Sequence, residues 1–347
     1  MVFFAINIIL LDSGVIIINT TIDIIVPCYN EEEVLNSFFI ETEKVVQSID
    51  GCSFRYILVD DGSRDRTLEI MHELASANSH VKYISFSKNF GKESGMYAGL
   101  SNSDSDYVII MDADLQHPPA LIPDMIKGIQ EGYDCVAACR TDRKGEKKIR
   151  SFFSQSFYKV NNRLTNSNLP YGAVDYRIMS RPMVKAVLSM SEVERFSKGI
   201  FSWVGFKTKW LPYDNVERTL GTTKWSFKGL TKYAIDGITS FSVAPLHFIS
   251  VMGFSISAIA IIYGIIIFFK TLILGIDVPG YASLIIILLF LGGIIELSLG
   301  VIGEYLSRVF IESKNRPIFI ARETNIKSAT NVDNGSYSSK FSKEDDN

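Results

Sequence analysis

The chain has 347 residues, enough for one large domain and an accessory part, and its formal net charge is −3. A charge this close to zero gives no overall attraction for nucleic acid, so we expect no nucleic-acid partner and only local anion binding. The four cysteines contain no CxxC pair and only four histidines exist, which argues against a Cys/His zinc site. Most of the apolar content lies between His247 and Ile302, so the composition indicates a soluble part followed by a membrane-associated part.

The first residues form an apolar stretch that Asp12, Ser13 and Gly14 interrupt and that carries no Lys or Arg up to residue 19. A signal peptide needs a basic segment before its apolar core, and a spanning helix needs about 20 uninterrupted residues. Neither description fits. We expect residues 1–21 to be an amino-terminal extension that forms an extra strand or lies on a surface.

From Ile22 onward, short β-rich apolar runs alternate with amphipathic stretches. The runs predicted as buried strands are Ile22–Pro27, Phe54–Asp61, Val81–Phe86, Asp106–Asp114 and Tyr133–Arg140. Helical patterns fill the intervals, for example Glu31–Ile49 and Thr67–Ala77. Continuously apolar strands that alternate with helices predict an α/β fold with a mainly parallel sheet covered on both faces.

Polar side chains follow the predicted strands at their carboxyl ends, where parallel sheets bind ligands. They are Tyr29, Asn30 and Glu31 after the first strand, Asp60 and Asp61 after the second, and Asp112 and Asp114 after the fourth. Residues i and i+2 of a strand face the same side, so the last two carboxylates are able to converge on Mg²⁺ or Mn²⁺ together with substrate phosphates. For Asp65 and Ser63 the alternative is capping of the next helix, which does not explain the doubled Asp60–Asp61.

Two long apolar runs, His247–Phe269 and Tyr281–Ile302, are each long enough to cross a bilayer core of about 30 Å. Lys and Arg cluster outside the pair, which predicts that both flanks, both termini and the catalytic domain are cytoplasmic. The segment Gly221–Ser242 before them has apolar and basic residues on different sides, typical of a helix in the membrane interface. The alternatives are a buried helical hairpin for the two runs and an ordinary surface helix for this segment.

The motifs VPCYNEE, VDDGSRDRT and MDADLQHPP, in this order, resemble the nucleotide-sugar domain of family 2 glycosyltransferases with a GT-A fold. The segments SKNFGKESGMYAGL, GAVDYRIMSR and RTLGTTKW resemble a narrower group, the polyprenyl-phosphate sugar transferases. This group contains the dolichol-phosphate mannose synthases and the GtrB-type bactoprenol glucosyltransferases. The resemblance extends from Ile22 to Arg322.

The resemblance implies a multi-pass membrane hexosyltransferase. It would move a hexose from a nucleotide-sugar, with UDP-glucose favoured, to a polyisoprenyl (undecaprenyl) phosphate at the cytoplasmic face, with inversion. The lipid-linked product would serve cell-surface glycan modification. Membrane lipid is then a partner, and whether the chain forms a homo-oligomer is left open.

The same resemblance assigns roles to individual residues. The residues implied for the nucleotide-sugar are Pro27, Tyr29, Glu31, Asp60, Asp61, Asp112 and Arg140. The residues implied for the divalent metal, Mg²⁺ or Mn²⁺, are Asp112, Asp114 and Gln116. The residues implied for catalysis are Asp114, Asp175 and Arg177, and those for the acceptor phosphate are Arg218 and Lys224. Because a phosphate monoester is largely dianionic at pH 7, such an acceptor needs no strong general base.

These observations divide the chain into seven parts. They are the extension 1–21, the GT-A domain 22–220, the interfacial helix 221–245, the transmembrane helices 246–270 and 281–303, the cytoplasmic juxtamembrane segment 304–323, and the disordered tail 324–347.

Other functions remain to be separated by experiment. A processive polysaccharide synthase shares the first three motifs but usually carries a QxxRW motif and more spans. A transferase that acts on another acceptor, a lipid head group or a protein, would use the same donor domain. A non-enzymatic membrane scaffold would not need Asp112, Asp114 and Gln116 together.

Overall fold

The computed structural model describes residues 8–11, 14–17, 20–141, 170, 172–214, 243–274 and 280–326. Its strands are β1 (Ile8–Leu11), β2 (Gly14–Ile17), β3 (Thr20–Cys28), β4 (Cys52–Asp60), β5 (Val81–Phe86), β6 (Tyr107–Ile110), β7 (Cys135–Arg140), β8 (Ala173–Ser180), β9 (Thr208–Tyr213) and β10 (Ala321–Thr324). Its helices are α1 (Leu35–Val46), α2 (Thr67–Ala77), α3 (Lys92–Ser101), α4 (Ile122–Gln130), α5 (Arg181–Ser189), α6 (Ser197–Trp203), α7 (Ala244–Leu274) and α8 (Tyr281–Ser313).

Eight strands form one sheet in the order β10-β5-β4-β3-β6-β8-β7-β9. The four strands β5, β4, β3 and β6 are mutually parallel, and β7 and β9 are parallel to each other. The strand β8 runs antiparallel to both β6 and β7, and β10 runs antiparallel to β5. The predicted α/β fold with a mainly parallel sheet is therefore confirmed.

Helices cover both faces of the sheet because its central strands are apolar on both sides. Along β3, Ile24 and Val26 pack with Leu35 and Phe38 in one core cluster. Ile25 points to the other face, where the helix α3 packs against β3 closely enough that a Cβ at Gly99 would collide with the Ile25 side chain. Continuous apolar runs at the centre of the sheet are thus explained by burial on both faces.

The antiparallel strand β8 brings a distant part of the chain to the carboxyl end of β6. Ile110, the last residue of β6, pairs with Arg177, so the residues that precede Arg177 in β8 extend beyond the end of β6. There they lie beside the turn that begins at Met111. A parallel strand would have placed its opposite end here.

The segment after α8 returns to the sheet, so the first residues of the predicted disordered tail 324–347, residues 324–326, lie against β5 instead. Thr324 pairs with Ile84 of β5, and the Asn325 side chain accepts the backbone N–H of Tyr83 at 2.8 Å. The exposed edge of β5 offers unpaired backbone groups that a short polar segment is able to satisfy. Four residues with mixed polarity are too short to signal a strand, and residues 327–347 lie outside the described part.

The amino-terminal extension contains an antiparallel pair of strands. Residues Ile8–Leu11 of β1 pair with Gly14–Ile17 of β2 across the position of the Asp12–Gly14 interruption. Of the two alternatives for residues 1–21, the structure shows strand formation, with two strands rather than one.

The helices α7 and α8 have 31 and 33 residues and contact each other. Many large apolar side chains of both are exposed, for example Phe254 at 80% and Phe290 at 64%. Among the described residues, one helical stretch, Ala244–Ile267 with mean hydropathy 2.2, is long and apolar enough to cross a membrane. The second predicted span forms a helix, but its membrane crossing stays a prediction. The predicted interfacial segment 221–242 lies outside the described residues.

An ion pair at the start of β3 gives a testable measure of stability. The Asp23 carboxylate is fully buried and accepts two hydrogen bonds from Arg55, at 2.8 and 2.6 Å. Because Arg55→Met leaves a buried carboxylate unpaired, we expect it to cost about 3 kcal/mol and to lower the melting temperature by several degrees. Thermal unfolding of the detergent-solubilised protein measures this.

The matched control is Arg66→Met, since Arg66 makes a surface ion pair with Glu69 in which both side chains are about two-thirds exposed. No measurable shift is expected for this variant. Equal shifts in the two variants would contradict the assigned importance of burial.

Candidate active site

The loops after β3 and β4 are bonded to each other at the carboxyl edge of the sheet. Asn30, in the left-handed region at φ 54°, donates its N–H to Ser63 Oγ at 3.0 Å, and its side chain accepts the N–H of Arg64 at 2.9 Å. The N–H of Glu31 donates to Thr67 Oγ1 at 2.8 Å. Pro27, Tyr29 and Glu31 are partly exposed here, so the structure places these three predicted residues at one edge, next to the end of β4.

Asp60 and Asp61 at the end of β4 are both buried, with exposures of 1% and 3%. Asp60 accepts the N–H of Ser63 at 2.9 Å with one oxygen and the hydroxyl of Ser85 at 2.7 Å with the other. Since each carboxylate oxygen has two lone pairs, Asp60 keeps capacity for a ligand hydroxyl. Asp65 accepts hydrogen bonds from the N–H and hydroxyl of Thr67 at the start of α2, as the capping alternative expected.

Asp61 fixes the loop that precedes α3. Its two oxygens accept the backbone N–H groups of Phe90 at 2.6 Å and Gly91 at 2.9 Å. Burial raises the pKa of Asp61 to about 6, with a contribution from Asp60, although these two hydrogen bonds lower it. The two adjacent carboxylates therefore have different roles. Asp60 connects β4 to β5, and Asp61 sets the position at which α3 begins.

The first residue of α3, Lys92, joins the carboxylates of the site. Its ammonium lies 2.6 Å from Asp112 Oδ1 and 2.8 Å from Asp175 Oδ2. Burial opposes the charge of Lys92, but the two carboxylates raise its pKa above the ordinary value. For Asp175, burial is outweighed by Lys92 and Lys198, which hold its pKa well below the usual range.

Sequence reasoning missed Lys92. A lysine between polar and small residues usually indicates a solvated charge, and the partners of Lys92 lie 20 or more residues away in the sequence. The sequence GKE within SKNFGKESG was the available signal, but only the fold shows which carboxylates the lysine contacts.

The turn after β6 contains Asp112, Asp114 and Gln116. The strand ends at Ile110, earlier than predicted, and Asp114 accepts the N–H of Gln116 at 3.1 Å within the turn. Residues two apart in a strand face the same side, but this argument does not apply to Asp112 and Asp114, because both residues lie beyond the end of β6. Both lie instead in a tight turn, in which Leu115 has φ 54°.

A buried histidine supports this turn. His117, 3% exposed, accepts the N–H of Asp112 with Nδ1 at 3.3 Å, and its ring stacks on Tyr176 at 5.2 Å. The Tyr176 hydroxyl donates to the Pro118 carbonyl at 3.2 Å. Burial lowers the pKa of His117, which favours the neutral ring that this acceptor role requires. His117 was not among the predicted site residues.

The side chains of this turn fit a divalent cation that takes further ligands from a substrate. Within the described ranges, no three or more His, Cys, Asp or Glu side chains gather into a metal-binding group, so a closed protein cage is not what the turn provides. Two carboxylates and an amide oxygen are hard ligands of the kind that Mg²⁺ and Mn²⁺ take beside phosphates. Although burial opposes it, Lys92 keeps the pKa of Asp112 low, so this carboxylate is available as an anion.

Arg140 and Arg177 differ in their access to a ligand. Arg140 is the last residue of β7 and is partly exposed. Its backbone N–H donates to the Gly172 carbonyl at 2.9 Å. Arg177 is 2% exposed, donates to the carbonyls of Asp175 at 3.2 Å and Val174 at 2.9 Å, and lies 4.0 Å above the Phe201 ring. The structure therefore places Arg177 beneath Asp175, where it fixes the start of β8, rather than open to a substrate.

The structure brings together the residues from β3, β4, β6 and β8 at one edge of the sheet. The residues predicted for the acceptor phosphate, Arg218 and Lys224, lie outside the described residues, as does the basic run 143–148.

A mainly parallel α/β sheet with acidic residues gathered at the carboxyl ends of β3, β4 and β6 is the architecture expected of a glycosyltransferase with a GT-A fold. Residues 23–188 match the family described as "Glycosyl transferase family 2". CsbB of Bacillus subtilis (strain 168), named as a glycosyltransferase, is 46% identical over 305 residues, which are 88% of this chain and 92% of CsbB. The chain belongs to glycosyl transferase family 2.

Two further relatives carry more specific names. A prophage bactoprenol glucosyl transferase homolog of Escherichia coli (strain K12) is 38% identical over 87% of this chain and 98% of its own length. The bactoprenol glucosyl transferase of Shigella phage SfII is 37% identical over the same shares of the two chains. The family and the enzyme class predicted from the motifs are confirmed.

Asp61 predicts a pH dependence of activity. Because its pKa is raised to about 6, lowering the pH through this value protonates the carboxyl, which then loses an acceptor for the N–H of Phe90 or Gly91. The loop that positions Lys92 is weakened, so we expect kcat/KM to fall as the pH drops below about 6 and to be full above it. Sugar transfer measured over roughly pH 5 to 8 checks this.

Substrate phosphates also titrate near pH 6, so the control is Asp61→Asn, which cannot titrate. We expect this variant to lose at least about tenfold in kcat/KM at every pH, because one buried N–H loses its acceptor, and to show a flatter acid limb. An acid limb of the same midpoint and depth in both proteins would assign the limb to the substrate alone.

Proposed function

We propose that this enzyme transfers a hexose, with UDP-glucose the favoured donor, to a polyisoprenyl phosphate of the undecaprenyl type, with inversion, at the cytoplasmic face of a membrane. The observation that carries the proposal is the cluster of Asp112, Lys92 and Asp175 at the carboxyl edge of the sheet, beside the loops after β3 and β4. The names of the bactoprenol relatives support the polyprenyl acceptor and the glucosyl group.

The donor is bound at the edge formed by Pro27, Tyr29, Glu31 and Asp60. As a carboxylate, Asp60 accepts hydrogen bonds from a base N–H or from ribose hydroxyls and repels phosphates. Asp112, Asp114 and Gln116 would hold Mg²⁺ or Mn²⁺, and the bound cation would supply positive charge against the negative charge of the departing nucleoside diphosphate. Arg140, at the end of β7, supplies a cation on the side of the diphosphate.

Asp175 orients the sugar. Its charge is maintained by Lys92 and Lys198, and a carboxylate of low pKa is a good hydrogen-bond acceptor but a weak base. It therefore accepts a hydrogen bond from a sugar hydroxyl more readily than it removes a proton. The acceptor phosphate, largely dianionic near pH 7, needs no base to attack. Arg177 acts by holding Asp175 in place.

The acceptor reaches the site from the membrane. Arg218 and Lys224, close in sequence to the apolar helix α7, are assigned to its phosphate, since a phosphate on a long prenyl chain stays near the head-group plane. The helices α7 and α8 form two spans, so the enzyme is multi-pass with both termini and the catalytic domain cytoplasmic. The product is a lipid-linked sugar for cell-surface glycan modification.

Changing Asp114 tests the metal and the activity together. We expect Asp114→Asn to abolish turnover, because the metal loses a carboxylate ligand, while the protein stays folded and membrane-inserted. Membranes that hold the enzyme are offered a panel of labelled nucleotide sugars with undecaprenyl phosphate, and organic-soluble labelled lipid is counted. Asp124→Asn in α4 is the matched control, with full activity expected.

The outcomes separate the alternatives. Metal-dependent nucleotide release without labelled prenyl lipid would indicate another acceptor, such as a head group or a polysaccharide. No nucleotide release with any sugar would favour a scaffold. Near-normal turnover of Asp114→Asn with Mg²⁺ present would contradict the metal assignment.

The topology is tested by cysteine labelling. Single cysteines at Lys270 or Gly280, which bracket the predicted outer loop, are expected to react with a membrane-impermeant reagent in intact cells. A cysteine at Ser313, at the end of α8, is expected to react only after the membrane is opened. Reaction of Ser313→Cys from outside would overturn the proposed orientation.

A further inference from the structure

The Lys92 ammonium contacts both carboxylate oxygens of Asp112, Oδ1 at 2.6 Å and Oδ2 at 2.9 Å. Asp112 is also a ligand of the metal in the proposed function, on which this inference rests. A lysine of the protein and a divalent ion therefore claim the same two oxygens. Two cations that share one small carboxylate repel each other, because both would lie against the same two oxygens.

Because the main chain at Lys92 is held in place, it is the side chain that moves away from Asp112 when a metal binds there. The backbone N–H groups of Phe90 and Gly91 are bound by the buried Asp61, and Lys92 is the first residue of α3. The flexible side chain already reaches a second acceptor, Asp175 Oδ2 at 2.8 Å. When the ammonium leaves Asp112, its charge thus keeps a carboxylate partner.

We propose that Lys92 competes with the divalent metal for Asp112, and that metal binding moves its ammonium onto Asp175. Lys92 is then a positioning residue with two effects. It weakens the binding of metal alone, and it holds the carboxylate of Asp175 when the metal is in place. The nucleoside diphosphate adds negative charge that offsets the repulsion between the two cations, so metal and donor bind cooperatively.

The test measures Mn²⁺ binding to the full-length enzyme in detergent, from the electron paramagnetic resonance signal of free Mn²⁺, without nucleotide. Lys92→Met removes the competing cation, and we expect Mn²⁺ to bind about tenfold more tightly, a coupling of ordinary size between two ligands. Lys92→Gln, a second neutral variant, is expected to do the same. Lys92→Arg keeps the charge and is expected to stay near the wild-type affinity.

The matched control is Lys88→Met on the same loop. Lys88 is exposed and its ammonium lies 4.9 Å from the centre of the Phe90 ring, so its removal is expected to leave Mn²⁺ affinity unchanged. A second measurement adds UDP. The gain in Mn²⁺ affinity that UDP produces is expected to be smaller in Lys92→Met than in the wild type, because less repulsion is left to offset.

Unchanged or weaker Mn²⁺ binding in folded Lys92→Met and Lys92→Gln, with circular dichroism as the check on folding, would overturn the inference. An equal gain in Lys88→Met would overturn it too, since any lost positive charge would then suffice. If Mn²⁺ binds to none of these proteins, even with UDP, the metal assignment of the proposed function fails and the competition with it. Mn²⁺ binding that is present but indifferent to Lys92 leaves the metal assignment intact.

Discussion

A buried carboxylate at the end of β4 sets the geometry of the candidate active site. Asp61 holds two consecutive backbone N–H groups, and through them it fixes the start of α3. An unsatisfied buried N–H costs about 1–3 kcal/mol, so loss of this carboxylate would release the loop as a unit. The turn that follows Asp61 is also constrained, because Gly62 at φ 67° lies so close to the backbone of Lys88 that a Cβ would approach the Lys88 carbonyl carbon to 2.5 Å.

From that fixed point, one lysine connects strands that are distant in the sequence. Lys92 links the turn after β6 to the beginning of β8, and β8 delivers Asp175 there because it runs against its neighbours. The charges are nearly balanced: Asp112 and Asp175 face Lys92 directly, and Lys198 acts on Asp175. Carboxylates that were repelling each other would resist burial, whereas these are held ionised and oriented. Both carboxylates are thus ionised and paired with Lys92 in the structure.

Much of this arrangement follows from sequence, and the remainder has identifiable reasons. Apolar runs followed by acidic residues predict the parallel strands and the edge at which Asp60, Asp61 and Asp112 gather, because strand period and burial are local properties. The direction of β8 relative to its neighbours is not a local property, because an apolar run has the same pattern in a parallel and in an antiparallel strand. Without that direction, the partners of Lys92 and the burial of Arg177 are not predictable.

The edge strand β10 was missed for a different reason. It is stabilised by the open edge of β5 and by the stacking of Phe319 on Phe86, with ring centres 5.0 Å apart, not by any pattern of its own. His117 belongs to the same class, since its role comes from Tyr176, with which it stacks. A sequence pattern predicts the secondary structure and burial of its own segment. It does not predict these contacts, because each is made between two segments that are distant in the sequence.

The end of α8 is connected to the catalytic domain by contacts that lead towards the site. Glu312 accepts the N–H of Val193 at 2.9 Å, and Arg308 pairs with Glu194 at 3.0 Å. A few residues further on, Ser197 donates its N–H and hydroxyl to Glu93, the residue after Lys92. Burial, together with the nearby charge of Asp175, raises the pKa of Glu93 to about 7, although Ser197 and Lys92 lower it.

This continuity matters for the proposed function, in which the acceptor does not leave the bilayer. A catalytic domain that tilted freely would present its site at a variable height above the head groups, and the acceptor phosphate would meet it only part of the time. Attachment at two places, through Glu312 and through the strand β10, restricts that tilt. Restricting orientation before the reactants meet lowers the entropic part of the barrier, so in the proposed function the anchoring of α8 would contribute to catalysis without contacting either substrate.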